Sequence, residues 1–178
     1  GLLALALSHA TMVGIMSMTR VHLVHHGATL VIVGLTISLH VAGMFALSPV
    51  FGWLADRLGR ERVIVLGQLI LLACLLMVFF GAQSTPVVVV ALVLLGLGWS
   101  AATVAGSALI AESADPLKRT AIQGRADLTM SAAGAIGGAL AGPALAVLAY
   151  EGLALLAVAL VAVVLGAVAY RRLVLKPS

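Results

Sequence analysis

Residues 52–62 read Gly52-Trp-Leu-Ala-Asp56-Arg57-Leu-Gly59-Arg60-Glu61-Arg62, a charged segment between two long apolar runs. Three of its residues are arginines, and loops rich in arginine beside a membrane span stay on the cytoplasmic side. Asp56 is placed to cap the start of a nearby helix, and Gly59 permits a tight reversal of the chain. The segment, called the signature loop below, therefore predicts a cytoplasmic turn between two membrane-crossing helices.

The composition excludes a soluble domain. Hydrophobic residues make up 63% of the chain and charged residues 9%, whereas soluble domains carry about a quarter charged residues. The net charge of +4 comes from basic residues at the ends of apolar segments and not from a continuous basic stripe. We therefore expect contact with membrane lipid and none with nucleic acid.

The apolar segments predict six membrane-spanning helices. Each is near or above the roughly 20 residues that a helix needs to cross the hydrocarbon. The predicted spans cover residues 2–19, 30–54, 63–81, 86–111, 119–149 and 152–170. Basic residues follow the second, fourth and sixth spans, namely Arg57, Arg60, Arg62, Lys118, Arg119, Arg171, Arg172 and Lys176. The sequence thus predicts an all-α, multi-pass protein of the plasma (inner) membrane with both termini in the cytoplasm.

Five residues of the signature loop carry a family resemblance: Gly52, Asp56, Arg57, Gly59 and Arg60. Their spacing resembles the Gly-x-x-x-Asp-Arg-x-Gly-Arg-basic-basic loop of the major facilitator superfamily, which joins the second and third helices of each six-helix half. Glu61 departs from that pattern, because the family usually has a basic residue there. The resemblance extends over all six predicted spans.

This resemblance implies that residues 1–178 form one six-helix half of a transporter, with the substrate held between two halves. The missing start methionine and the short tail favour the C-terminal half, whose partner is the missing N-terminal half of the same protein. The implied function is secondary active transport of a small solute by alternating access, with proton-coupled efflux or facilitated diffusion as the energetic options. We expect no catalytic residue, metal or cofactor.

The resemblance also assigns roles to the residues of the signature loop. Asp56, Arg57 and Arg60 would form a latch on the cytoplasmic side, while Gly52 and Gly59 would serve as packing and turn positions. An oligomeric six-helix scaffold or channel subunit is the alternative function, and it would make the match of this loop a coincidence. A serine hydrolase is disfavoured, because the chain has no Gly-x-Ser-x-Gly segment and no histidine after His40.

Four polar residues are candidates for the transport pathway or for proton coupling: His9, His40, Gln123 and Asp127. Ionisable groups inside a membrane are costly and face the protein interior or water. In the superfamily the first, second and fifth helices of each half commonly line the cavity, which is why these four are grouped. The alternatives are neutral histidines hydrogen-bonded between helices, and an Asp127 that pairs with a basic residue such as Arg125.

Two further patterns have simple structural interpretations. Small and polar residues at helical spacing in the fourth and fifth spans predict faces where another helix packs closely. These residues are Gly96, Ser100, Thr103 and Ser107 in the fourth span, and Ser131, Gly134, Gly138 and Gly142 in the fifth. His22, His25 and His26 are expected to be solvated residues closing the outer end of the first span, with a metal site as the alternative.

Overall fold

The computed structural model describes residues 1–174, which form helices joined by short turns without any β-strand. The helices are α1 (Leu2–His25), α2 (Leu30–Phe45), α3 (Ser48–Leu58), α4 (Arg60–Gly81), α5 (Thr85–Ser113) and α6 (Arg119–Val174). The all-α prediction is confirmed for this part of the chain. Lys176, which was predicted to extend the basic end, lies outside the described residues.

Five helical segments of the described chain are long and apolar enough to cross a membrane, where the sequence predicts six. They are α1, the continuous pair α2–α3, α4, α5 and α6. The difference lies in α6, which has 56 residues. A straight helix of that length would extend roughly 84 Å at about 1.5 Å per residue, far beyond the ~30 Å of the hydrocarbon.

Helix α6 is not straight. At Ala149 the backbone leaves the helical region, with φ 58° and ψ −175°. The first residues of α6, beginning at Arg119, share a surface depression with Ala111 near the end of α5. Near the other end of α6, Arg171 forms an ion pair with Glu61 at the start of α4. Both ends of α6 therefore lie at the end of the bundle that carries the signature loop, and α6 folds back at the predicted boundary between the fifth and sixth spans.

The predicted spans are otherwise close to the observed helices, with two differences. Helix α1 continues to His25, six residues beyond the predicted end of the first span. The second span is divided, because α2 ends at Phe45 and α3 begins at Ser48. Pro49 lies in the first turn of α3, where a missing backbone N–H costs nothing.

Helix α5 packs against α4, α2, α1 and α3, and its glycines allow very close contacts. A Cβ atom added to Gly67 of α4 would lie 2.8 Å from the carbonyl oxygen of Gly98 and 2.8 Å from the backbone nitrogen of Ala102. A Cβ on Gly96 would collide with the carbonyl oxygen of His40 in α2. These helices thus meet backbone to backbone, as the small-residue pattern predicts at Gly96.

We predict that Gly67→Ala destabilises the protein by about 1–3 kcal/mol, because the new methyl group would press against backbone atoms that cannot rotate away. The measurement is the melting temperature of the purified protein in detergent. Gly34→Ala in α2 is the matched control, since apart from its chain neighbours and its own helix backbone no atom lies within 4 Å of the position that its new Cβ would take. Equal melting temperatures for the two variants would contradict the close α4–α5 contact.

Candidate functional site

The signature loop forms a tight connection between α3 and α4. Gly59 lies between α3 and α4 with φ 95° and ψ 145°. Residues other than glycine rarely adopt this conformation. Asp56 was expected to cap a helix, but Gly59 occupies the cap position of α4 and no side-chain cap bond is present there. The Asp56 carboxylate instead accepts a hydrogen bond from Arg60. Gly52 faces Val104 of α5, at an ordinary packing distance.

Arg60 joins the signature loop to the end of α5. Its Nη1 donates to Asp56 Oδ1, while its Nε and Nη2 donate to Glu112 Oε1 at 2.9 and 2.6 Å. A guanidinium group can do this because its donors are rigidly arranged in one plane. The Asp56–Arg60–Glu112 network therefore connects three helices, α3, α4 and α5, at one end of the bundle.

The other charged residues of the signature loop make separate contacts. The guanidinium carbon of Arg57 lies 4.8 Å from the ring centre of Trp53, in a cation–π contact. Glu61, which departs from the family pattern, lies 3.3 Å from Arg171 and 3.7 Å from Arg172. The acidic residue at this position therefore binds the basic end of α6.

His9 is hydrogen-bonded to an aromatic residue of another helix. Trp99 Nε1 of α5 donates to His9 Nδ1 at 3.0 Å, and the edge of Phe45 from α2 lies against the Trp99 ring with centroids 6.2 Å apart. Gly134 of α6 leaves room for the imidazole, because a Cβ there would collide with it. Since Nδ1 accepts, the ring is neutral and carries its proton on Nε2. We call His9, Trp99 and Phe45 the aromatic cluster.

His40 is fully buried and has no surface that a solute could reach in this chain. Its Nδ1 lies 2.8 Å from the carbonyl oxygen of Leu92 and donates to it. Its Nε2 has no hydrogen-bond partner among the described residues. The arrangement fits the alternative interpretation of a neutral histidine bonded between two helices.

Gln123 and Asp127 line an open depression of about 630 Å³ between the end of α5 and the start of α6. Gln123 Nε2 donates to Asp127 Oδ1 at 3.3 Å. No ion pair joins Arg125 to Asp127 in the part of the chain that the structure describes. The four candidate pathway residues therefore occupy three places, and only Gln123 and Asp127 contact each other.

Comparison with known proteins agrees with the geometry of the signature loop. The family model described as the Major Facilitator Superfamily matches residues 1–178. The chain belongs to the major facilitator superfamily. The MFS-type transporter YdeG of Bacillus subtilis is 43% identical over 143 residues, which are 80% of this chain and 33% of that protein. YddS of the same organism is 42% identical over 147 residues, or 82% of this chain and 34% of that protein.

A third superfamily relative has a named substrate. The riboflavin transporter RfnT of Brucella anthropi is 32% identical over 123 residues, which cover 69% of this chain and 31% of that protein. The chain thus spans about a third of the length of the curated relatives that it matches. All three of these relatives are named as transporters.

One of the three histidines near the end of α1 differs from the sequence-based expectation, while His25 and His26 are exposed as predicted. His22 was predicted to be solvated, but it is only 7% exposed. Its Nε2 lies 2.8 Å from the carbonyl oxygen of Ala82, and its ring stacks on Tyr150 with centroids 4.3 Å apart. Within residues 1–174, no histidine, cysteine or carboxylate group is arranged to hold a metal ion. The apolar residues around His22, which continue α1, were the available signal for its burial.

We predict that His9 and Trp99 are energetically coupled. Replacing His9 with leucine leaves the largely buried indole N–H without an acceptor, which costs about 1–3 kcal/mol. Trp99→Phe removes that donor. The His9→Leu/Trp99→Phe double variant should therefore lose less stability than the two single variants lose together. The measurement is a double-mutant cycle of melting temperatures in detergent. Additive losses, within ~0.5 kcal/mol, would contradict the hydrogen bond.

Proposed function

We propose that this chain is one six-helix half of a secondary transporter that moves a small solute by alternating access between two halves. The proposal rests on the Asp56–Arg60–Glu112 network, which lies in a chain that belongs to the superfamily. The fold-back of α6 at Ala149 supports six crossings, and the coverage of about a third of each relative supports a larger whole. A second six-helix half of the same protein is the proposed partner.

The proposed orientation places the signature loop in the cytoplasm and the protein in the plasma membrane. Arg57, Arg60 and Arg62 lie at the same end of the bundle as Arg119 and Arg171, because Arg60 binds Glu112 and Arg171 binds Glu61. Positive charge concentrated at one end of a helical bundle favours the cytoplasmic side. Both ends of α6 and the start of α1 then face the cytoplasm.

The Asp56–Arg60–Glu112 network is the proposed latch. The side chains of Asp56 and Glu112 stay 68% and 54% exposed while they bind Arg60. They therefore remain accessible to the second half, which would contact this end when the cytoplasmic side is closed. The positive φ of Gly59 keeps the turn tight, and Arg57 is held against Trp53 beside it.

The aromatic cluster is the proposed solute contact, and flat aromatic molecules are the proposed substrate class. Phe45 is 59% exposed and offers a ring surface on which a flat ring can stack, and it lies against the largely buried Trp99. One relative is named a riboflavin transporter, and the central part of riboflavin is such a ring system. His40, which is fully buried, is left out of the proposed pathway.

Proton coupling is proposed through His9, with efflux as the direction. A proton on Nδ1 of His9 and the hydrogen bond from Trp99 exclude each other, because both need the same lone pair. Protonation would release the indole ring and change the aromatic cluster. Asp127 and Gln123, which line the depression beside α5 near the cytoplasmic end, are the proposed route by which protons or solute enter.

We predict that Asp56→Ala in the intact transporter abolishes transport and leaves membrane insertion unchanged, because Arg60 loses one of its two anionic partners. Transport is measured as riboflavin accumulation in everted membrane vesicles, and insertion by the amount of protein in washed membranes. Asp115→Asn is the control, since Asp115 lies in the neighbouring turn and binds the backbone N–H of Leu117. Normal accumulation by the Asp56→Ala variant would contradict the latch.

The substrate class is tested with the same vesicles. An acidic interior should drive accumulation of riboflavin and other flat aromatic solutes, and not of a sugar of similar size. Phe45→Leu should raise KM about fivefold, since loss of a stacking contact costs about 1 kcal/mol. Phe80→Leu is the control, because this ring is 80% exposed on α4. An unchanged KM in Phe45→Leu would exclude the aromatic cluster as the solute contact.

A further inference from the structure

A second group of polar residues lies at the end of the bundle opposite the signature loop. It joins the end of α1, the turn between α4 and α5, and the corner where α6 folds back. His26 caps the C-terminal end of α1, Gln83 lies in the α4–α5 turn, and Glu151 follows Ala149 in α6. We call His26, Gln83 and Glu151 the His26 cluster.

The hydrogen bonds of the His26 cluster determine where its protons lie. Gln83 Nε2 donates to Glu151 Oε1 at 3.3 Å, which turns the amide oxygen of Gln83 towards His26. That oxygen lies 2.9 Å from His26 Nε2. The opposite orientation of the amide would place its oxygen against the carboxylate of Glu151 and is disfavoured. His26 Nε2 must therefore donate.

The other ring nitrogen of His26 also faces an acceptor. His26 Nδ1 lies 2.9 Å from the carbonyl oxygen of His22, and a carbonyl oxygen can only accept. A neutral imidazole has one N–H donor, so it can make only one of these two bonds. Both bonds require the imidazolium form, in which both nitrogens donate.

The surroundings of His26 are compatible with a positive charge. His26 sits at the C-terminal end of α1, where the helix dipole favours cations, and it is exposed to solvent, so protons reach it freely. The titratable groups around the adjacent cavity are His22 and His25 from α1 and Tyr150 and Glu151 from α6. A protonated His22 or His25 would oppose a positive charge on His26. The Glu151 carboxylate, which is linked to His26 through hydrogen bonds to Gln83, favours that charge. The α4–α5 turn contributes only the Gln83 amide to this cavity.

We propose that His26 is a proton-binding site, and that its protonated form clamps α1, the α4–α5 turn and the corner of α6 together. The clamp is complete when His26 carries the second proton. A neutral His26 makes only one of these two hydrogen bonds, and without the bond to Gln83 the turn is released. Histidine is suited to this role because its charge changes between roughly pH 5 and 8. This role of His26 does not depend on the substrate or on the latch at the other end.

The test is hydrogen–deuterium exchange of the intact transporter in lipid nanodiscs at about pH 5.5 and about pH 8, around the range in which histidine titrates. Rates are corrected for the intrinsic pH dependence of exchange. Peptides from residues 20–29 and 80–87 should exchange at least about fivefold more slowly at the lower pH, because hydrogen bonds to a charged group are stronger than those to a neutral one. Equal corrected rates at both pH values would overturn the proposal.

Three variants separate His26 from its neighbours. His26→Gln cannot gain a charge, so the pH dependence of both peptides should disappear. Glu151→Gln removes the anion that orients Gln83 and should reduce the dependence. His25→Gln is the matched control, an exposed neighbour for which the structure records no side-chain hydrogen bond, and it should behave like the wild type. Full pH dependence in His26→Gln, or its loss in His25→Gln, would contradict the assignment.

A spectroscopic measurement covers the case in which His26→Gln fails to fold. In the His25→Gln protein with ¹⁵N-labelled histidine, one ring should carry protons on both nitrogens at about pH 6, and Glu151→Gln should lower its protonated fraction. Four histidines remain in this chain after that change, and His9 and His40 lie inside the bundle. If only singly protonated rings are found, the charged form of His26 is excluded.

Discussion

The guanidinium group of Arg60 holds together one end of this bundle. It binds Asp56 of α3 and Glu112 of α5 while its own backbone begins α4, so three helices are fixed by one planar group. Glu61, the next residue, binds Arg171 and Arg172 and adds the end of α6. Because these contacts involve charges at the edge of the apolar region, they set which helix ends lie together without burying an ion pair in the hydrocarbon.

Inside the apolar region, the bundle depends on close backbone contact and on paired polar groups. Gly67 and Gly98 let α4 and α5 touch, which is how helices associate where no hydrophobic driving force exists between them. Several polar side chains are paired across helices: Gln68 Nε2 donates to Ser8 Oγ at 2.7 Å, and Thr19 and Tyr150 share a 2.6 Å hydrogen bond. Other buried polar atoms, such as Gln68 Oε1 and His40 Nε2, have no partner among the described residues. An unpaired polar group would be costly there.

Much of the fold could be predicted from the sequence, because the relevant signals are local. Apolar length located the helices. The boundary near residue 150 matched the fold-back at Ala149. The charges of the signature loop identified the family that the comparisons confirm.

The candidate site was less predictable, because its contacts join distant parts of the chain. Trp99 and His9 are 90 residues apart, and no spacing rule connects them. The role of Glu61 could not be read from its departure from the family pattern, since its partners lie at the other end of the chain. The burial of His22 could not be predicted, because polarity alone cannot distinguish an exposed ring from one that is stacked and hydrogen-bonded.

The proposed topology requires that α6 cross the membrane twice and return to the end held by Arg60. The most direct test is labelling of single cysteines with a membrane-impermeant maleimide in right-side-out and everted vesicles, in the intact transporter freed of its other cysteines, including Cys74. We expect Lys118→Cys and Leu173→Cys to be labelled only in everted vesicles, and Glu151→Cys only in right-side-out vesicles. Labelling of all three from the same side would contradict this topology.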